Sequence, residues 1–339
     1  MVRHGCQTVW FLLIVTFAAS GTARAAAEHN VPLPPSFTPE QSLADEPQTT
    51  GNGPSEYSYY PAQQERPRDL TLGNFFSAGW DDEWAKQERA TGTPNLALLK
   101  VQTNFMEREF RTNYYFENNL ASATNKNITD FDSLIAWSFN RRLMVEITGA
   151  YQWEDLRSGS RTDGSYPGLV GRIQLIDTES SSYSFNFKAV APNPGLGLAQ
   201  STVSYGVGGF EDLAYWFGVD RVGLYYSFLF DSLSGPVAAG TKLNDVGYDV
   251  TLAKTFTGPK VPLVGTLTFF LENYAQTDLD GTTAGRTLVT VTPGVRFNLG
   301  KSDRVNMGKD NWIMLGTDIP VSDYHPYDAI YRFTYIKNF

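Results

Sequence analysis

The stretch YRFTYIKNF, residues 331–339, ends the chain and alternates aromatic with other side chains. Successive residues of a strand point to opposite faces, so Tyr331, Phe333, Tyr335 and the terminal Phe339 share one face. The other face carries Ile336 with Arg332, Thr334 and Asn338. One face therefore suits lipid and the other mostly water, as is typical of the closing strand of an outer-membrane β-barrel.

The same two-residue period recurs in eleven earlier segments, which are separated by turns rich in Gly, Asn, Asp and Ser. Strands that cross a membrane need about 9–11 residues, and these segments are of that length. The sequence thus predicts an all-β fold, an antiparallel transmembrane β-barrel of about 12 strands with a disordered N-terminal leader. The predicted strands lie near 106–117, 129–140, 142–153, 166–177, 182–191, 200–210, 221–231, 245–255, 262–273, 285–298, 311–320 and 328–339.

A soluble β-sandwich also alternates, so the faces of the strands have to be compared. In the predicted fifth strand, Phe185 and Phe187 share one face, and Ser184, Asn186 and Lys188 share the other. A sandwich would turn its polar face to water and pack its aromatic residues in a central core. Tyr and Phe at strand ends, the terminal aromatic residue and the export signal described next favour the membrane.

The amino-terminus has the pattern of a secretory signal peptide, predicted to span residues 1–25. Arg3 precedes an apolar run over residues 9–19, which is too short for a bilayer-spanning helix of about 20 residues. The only cysteine, Cys6, lies inside this signal, so the mature chain has no disulfide and no cysteine metal site. Removing Arg3 and Arg24 lowers the formal net charge from −9 to −11, which argues against nucleic acid as a partner.

Three further regions follow the predicted signal peptide. Residues 26–67 hold eight of the 18 prolines and are predicted to be a disordered periplasmic tether, a spacer or a Pro-rich ligand for a periplasmic partner. Residues 68–97 mix aromatic and charged side chains and form either a plug or mouth cover for the barrel or a loosely packed lead-in. Residues 98–339 are predicted to form the barrel itself.

Two blocks of the chain carry a resemblance to a known family. They are LLKVQTNFMEREFR at residues 98–111 and TPGVRFNLG at residues 292–300, leading into WIMLG at 312–316. These blocks resemble the outer-membrane transporters grouped with the meta-pathway of phenol degradation. The resemblance implies a barrel that passes small, often aromatic, compounds. It rests on strand and turn patterns and transfers no functional residue.

Charged side chains predicted to point into the lumen are the main functional candidates. An unpaired charge in a confined interior is costly, so these groups must meet water or one another. In the first case they tune solute selectivity, and in the second they form a closed polar core. Aromatic residues predicted to face inward as solute contacts are Tyr115, Tyr225 and Phe270. The charged candidates are Glu109, Arg111, Glu146, Arg172, Lys188, Asp249, Glu272, Arg296 and Arg332.

The sequence offers little support for catalysis or metal binding. His325 is the only histidine in the predicted barrel region, and a barrel esterase of the Ser-His type would have to use it. Asp278 and Asp280 form either a solvated turn or a weak calcium site. We therefore predict no catalytic residue, no metal site, no cofactor and no enzyme activity.

These features predict a porin-like membrane protein in the outer membrane of a Gram-negative-type bacterium, with its leader in the periplasm. The expected function is passive transport of a small solute, aromatic or hydrophobic, through a narrow lumen of mixed charge. The alternative is a structural or interaction barrel with a filled lumen and no transport. The expected partners are outer-membrane lipid and a small-molecule solute, and the oligomeric state is not predicted.

Overall fold

The computed structural model describes residues 67–85, 89, 91–101, 104–118, 126–156, 161–192, 201–234, 240–257, 266–299, 310–324 and 326–339. The predicted signal peptide, the Pro-rich segment up to residue 66 and His325 lie outside these residues.

The described residues form twelve antiparallel strands in a single sheet that closes on itself. Each strand pairs with its neighbours in sequence, and β1 pairs with β12. This closed barrel confirms the predicted fold class and strand number. The strands are β1 (Arg108–Asn118), β2 (Lys126–Ser138), β3 (Leu143–Leu156), β4 (Arg161–Asp177), β5 (Ser181–Val190), β6 (Ser201–Asp212), β7 (Val222–Ser234), β8 (Asn244–Thr257), β9 (Thr266–Asp278), β10 (Thr287–Asn298), β11 (Asn311–Pro320) and β12 (Ala329–Asn338).

The C-terminal stretch that decides the fold forms the seam of the barrel. Strand β12 pairs on one side with β11 and on the other with β1, where Tyr335 lies opposite Thr112 and Phe333 opposite Tyr114. Because both sides of β12 are paired, the sheet has no free edge. An alternating sequence at the chain end thus completes a cylinder.

Large apolar side chains cover the outside of this cylinder, and polar side chains make up much of its interior. In β5, Ser184 and Asn186 are fully buried, whereas Phe185 and Phe187 are 37% and 46% exposed. The outward Ile147 of β3 is 62% exposed. This is the reverse of a soluble protein, in which large apolar side chains are buried. It matches a transmembrane barrel, whose outer band meets lipid.

The two ends of the barrel differ. At the end that we call the terminal end, β1 begins at Arg108 and β12 ends at Asn338; we call the opposite end the distal end. A short helix, α1 (Leu213–Phe217), joins β6 to β7 at the terminal end, with Asp212 accepting a hydrogen bond from the Ala214 N–H. This helix lies in the gap between the strands predicted at 200–210 and 221–231. Among the described residues, no helix is long and apolar enough to cross a bilayer.

Residues 69–84, which we call the mouth cap, lie against the strand ends at the terminal end. Leu70 forms an antiparallel bridge with Asp177, and Glu83 forms one with Asn140. Arg142, just before β3, is fully buried beneath the cap. Its guanidinium donates hydrogen bonds to the backbone carbonyls of Thr71, Asn74, Ala78, Gln174 and Leu175.

The wall of the barrel begins at Arg108, ten residues after the start predicted for the barrel region. Residues 94–101 and 104–107, which we call the lumen segment, form no strand of the wall. They pack instead against inward-facing side chains of strands. The predicted start was too early because Leu98, Val101 and Phe105 are apolar. Buried apolar residues are needed equally by a strand and by a segment packed inside a barrel, so the sequence pattern does not distinguish the two.

Candidate functional site

The lumen is the candidate functional site, and the lumen segment occupies it. Leu96, Leu98, Val101 and Phe105 of the segment are buried, with 2–4% of their surface exposed. They form one apolar cluster with inward side chains of β6 to β9. The wall residues in this cluster are Phe210, Tyr225, Ala253 and Phe270.

Three inward side chains hold the backbone of the lumen segment by hydrogen bonds. The Tyr225 hydroxyl donates to the Pro94 carbonyl at 2.8 Å, and the Arg296 guanidinium donates to the Ala97 carbonyl at 3.1 Å. The Arg172 guanidinium donates to the Phe105 carbonyl at 2.9 Å. The donors sit on β7, β10 and β4. The segment is thus attached to several sides of the lumen rather than to one strand.

The segment also meets acidic side chains of the wall. One carboxylate oxygen of Glu272 accepts hydrogen bonds from the backbone N–H groups of Leu99 and Lys100, at 3.0 and 3.2 Å. The Lys100 ammonium lies 3.0 Å from a carboxylate oxygen of Asp318, which sits near the distal end of β11. The segment therefore extends from the terminal end into the distal half of the lumen.

The structure places all nine predicted charged residues on inward-facing positions, but they meet different partners. Arg172, Glu272 and Arg296 contact the lumen segment. Glu109 and Arg111 form a salt bridge of 2.6 Å within β1. Glu146 interacts electrostatically with Arg111 and Arg172, and Lys188 with Asp132 and Asp231. Arg332 binds Asp318 through two nitrogens, at 2.6 and 2.8 Å. Asp249 is 2% exposed, and its carboxylate accepts no hydrogen bond among the described residues.

The three predicted aromatic contacts also lie inside. Tyr225 and Phe270 are covered by the apolar residues of the lumen segment. Tyr115 lies beneath the Arg332 guanidinium, 4.5 Å from its ring centroid. In this structure the surfaces predicted to meet a solute are therefore occupied by the chain itself or by a neighbouring cation.

Both halves of the interior carry charges of both signs. The distal half holds Asp132, Asp231, Asp245, Asp249, Asp278 and Asp318 together with Lys188 and Arg332, and the terminal half holds Arg111, Arg141, Arg142, Arg172 and Arg296 together with Glu109 and Glu146.

Two residues of the site, Lys100 and Asp318, are not among the sequence candidates. Asp318 lies on the same face of β11 as Trp312 and Met314, so the inward face is apolar for most of its length. That face is apolar because it packs against Ala97 and Leu99 of the lumen segment. The available signal for Asp318 was that it faces the same side of the sheet as Thr292 and Arg332 on the neighbouring strands. The apolar residues on the same face of β11 hid this signal.

A cavity of about 400 Å³ lies at the distal end, apart from the predicted solute contacts. It is lined by Pro320, Val321, Ser322, Asp323 and Asp328, from the end of β11 and the following connection. None of the predicted lumen residues lines it.

The described residues include no group of three or more His, Cys, Asp or Glu side chains that could hold a metal ion. In the distal turn after β9, Asp280 accepts hydrogen bonds from the backbone N–H groups of Leu243 and Asn244 and from the Asn244 amide. These bonds hold the pKa of the Asp280 carboxyl below its usual value. This carboxylate therefore serves to join two loops.

Comparison with known proteins gives weak likenesses of fold. No protein-family model matches the chain, and no curated protein does. An outer-membrane channel from Pseudomonas putida F1 is similar, with a TM-score of 0.49 and 10% identity, covering 72% of this chain and all of that one. The KdgM porin has a TM-score of 0.38 and 11% identity, covering 68% of this chain and 99% of its own. The NanC porin has 0.41 and 8%, covering 68% and 99%. The assignment of an outer-membrane barrel fold to this chain therefore depends on its own closed sheet and not on these likenesses.

Proposed function

We propose that the protein is an outer-membrane channel for a small solute, and that the lumen segment closes it in this structure. The observation that carries this proposal is what fills the lumen. Side chains from the wall fill a small structural barrel, whereas here a separate stretch of chain does so, held by apolar packing, by hydrogen bonds to its backbone and by one ion pair. A segment attached in this way can leave without breaking any strand pairing.

We further propose that the barrel lies in the outer membrane of a Gram-negative-type bacterium with its terminal end in the periplasm. The predicted signal peptide supports export. Both ends of the barrel wall, Arg108 and Asn338, lie at one end of the barrel, and the mouth cap lies against the same mouth. A leader that precedes them is then on the periplasmic side.

The proposed solute is small and carries an aromatic or hydrophobic part, as the resemblance to transporters of the phenol meta-pathway implies. Support comes from Tyr225 and Phe270, which face the interior and pack on Leu96, Leu98 and Phe105 of the lumen segment. Once the segment leaves, an apolar patch lines one side of a narrow passage whose other walls carry both signs of charge. We propose no cofactor and no catalytic role, because diffusion down a gradient needs neither.

A second candidate is a structural or interaction barrel without transport. The mouth cap favours it, because Arg142 is fully buried between the cap and the wall and makes hydrogen bonds to five carbonyls. A mouth closed so firmly is expected of a barrel that stays filled.

Planar-bilayer conductance separates the two candidates. We expect a chain that lacks residues 68–106 to conduct in frequent discrete steps, and the full mature chain to show rare ones. A matched control lacks only residues 26–66 and should behave as the full chain does. If the shortened barrel runs as a folded, heat-modifiable band in gel electrophoresis and yet stays silent, the channel proposal is wrong and the filled barrel stands.

A further inference from the structure

The ammonium of Lys100 occupies a pocket that the distal wall of the lumen builds around it. It lies 2.7 Å from the Thr290 hydroxyl and 3.0 Å from the Asp318 carboxylate. It also lies 4.9 Å from the centroid of the Tyr274 ring. Acidic oxygen, hydroxyl and the face of an aromatic ring are the partners that recognise an ammonium group. All of them belong to the wall, whereas Lys100 belongs to the lumen segment.

The wall holds more acid at this place than its own cation neutralises. Asp249, Glu272 and Asp318 interact with Lys100, and Arg332 is the wall cation that acts on all three. Both carboxylate oxygens of Asp249 and one of Glu272 are buried and accept no hydrogen bond from the described residues. Buried carboxylates without donors are costly, so the pocket favours a cation.

A metal ion fits this pocket poorly. No group of three or more acidic, histidine or cysteine side chains among the described residues is arranged to hold one. Calcium and magnesium require six or more oxygen ligands, and the Tyr274 ring offers a π-face instead of an oxygen on its side of the pocket. An alkylammonium group, with three donors and an apolar stem, matches what the wall presents.

We propose that this pocket is a binding subsite for the ammonium group of the transported solute, and that Lys100 is its resident occupant while the lumen is closed. This inference rests on the proposed channel function, because a solute reaches the pocket only when the lumen segment moves out. It narrows the solute class to small amines with an apolar part. Removal of Lys100 leaves three wall carboxylates facing Arg332.

The test uses the full mature chain, refolded in detergent with n-butylammonium, which reproduces the end of a lysine side chain. In Lys100→Ala the pocket loses its occupant and the space of the lysine stem is empty, so butylammonium should raise the melting temperature in a saturable way, since a ligand that binds only the folded state stabilises it. The wild-type chain should show no saturable rise. Lys100→Arg, which keeps a cation in place, should resemble the wild type.

Two further variants show whether the effect belongs to the pocket. Lys100→Ala with Asp249→Asn should bind butylammonium about tenfold more weakly, because one charged partner is lost. Lys254→Ala removes a lysine that pairs with Asp220 at the terminal end of β8, and should respond as the wild type does. Sodium chloride at equal ionic strength controls for screening. An equal response in the wild type and Lys100→Ala, or one that Asp249→Asn leaves unchanged, overturns the subsite.

If Lys100→Ala refolds in low yield, butylammonium should raise that yield by restoring the missing cation, and an unchanged yield counts against the subsite. Conductance is measured in parallel and separates the two proposals. If the barrel binds the amine but never conducts, the ammonium pocket is supported and the channel proposal is wrong. If the barrel conducts but shows no saturable amine binding, the channel proposal is supported and the subsite proposal is wrong.

Discussion

The mouth cap and the lumen segment are held against the barrel by two very different kinds of contact. At the mouth cap, Arg142 is fully buried, and its guanidinium is saturated by backbone carbonyls from both the cap and the wall. At the tip of the lumen segment, Lys100 faces a pocket in which Asp249 and Glu272 keep carboxylate oxygens without a hydrogen bond from the described residues. A saturated contact gains nothing from a new ligand, whereas an unsaturated one does. We therefore infer that the mouth cap anchors this part of the chain, and that Lys100 of the lumen segment can be exchanged for another cation.

The largest effect is expected at the anchor. Arg142→Met keeps much of the length of the side chain but removes its donors, leaving buried carbonyls of the cap and of β4 unpaired. Loss of a buried, fully bonded charge should destabilise the cap by about 3 kcal/mol or more. The melting temperature of the refolded protein in detergent measures this loss.

Arg286→Met serves as the matched control for that variant. Arg286 is exposed near the distal end, where it lies over the Tyr324 ring at 5.4 Å. Its replacement should change stability by less than about 1 kcal/mol. Equal losses in the two variants would show that Arg142 does not anchor the mouth cap.

A smaller and more specific effect is expected at Gly316 of β11. A Cβ at this position would lie 2.4 Å from Cδ1 of Leu99 in the lumen segment, so Gly316→Ala should force the Leu99 side chain to move and weaken its packing on the wall. Overpacking of this kind costs about 1–3 kcal/mol. If that cost falls on the closed state, openings in a bilayer become about tenfold more frequent for each 1.4 kcal/mol.

Leu99→Ala makes room for the added methyl group, so the double variant should return toward the openings of Leu99→Ala alone. Gly149→Ala is the control, because a Cβ there meets nothing within 4 Å. More frequent openings in the control, or none in Gly316→Ala, would count against a movable lumen segment.

The wall of the barrel could be predicted from the sequence, and the occupant of its lumen could not. Strand periods depend on neighbours two residues apart, so β5 and β12 were recognisable without knowledge of any distant contact. In β11 both faces are largely apolar, since Trp312 and Met314 pack on the lumen segment while Leu315 is exposed on the outside. The alternation of polar and apolar residues no longer marks the inward face wherever another part of the chain covers the interior of the barrel.

The residues of the ammonium pocket show the same limit. Asp249, Glu272 and Arg332 were predicted from parity alone, and the structure places them together around Lys100. Lys100 itself lies outside every strand, and its position depends on hydrogen bonds of neighbouring residues to β7, β10 and β4. Contacts between a strandless segment and distant strands leave no periodic signal in the sequence.

A reversible lock on the lumen segment tests the central claim most directly. Leu99→Cys with Gly316→Cys puts a thiol on each side of this contact, where a Cβ at residue 316 would lie 2.4 Å from Cδ1 of Leu99, and loss of free thiols on oxidation shows that the disulfide has formed. The predicted mature chain has no other cysteine. Conductance of the same molecules in a planar bilayer should be silent when oxidised and should show discrete steps after reduction. Equal conductance before and after reduction, whether silent or open, would contradict closure of the channel by this segment.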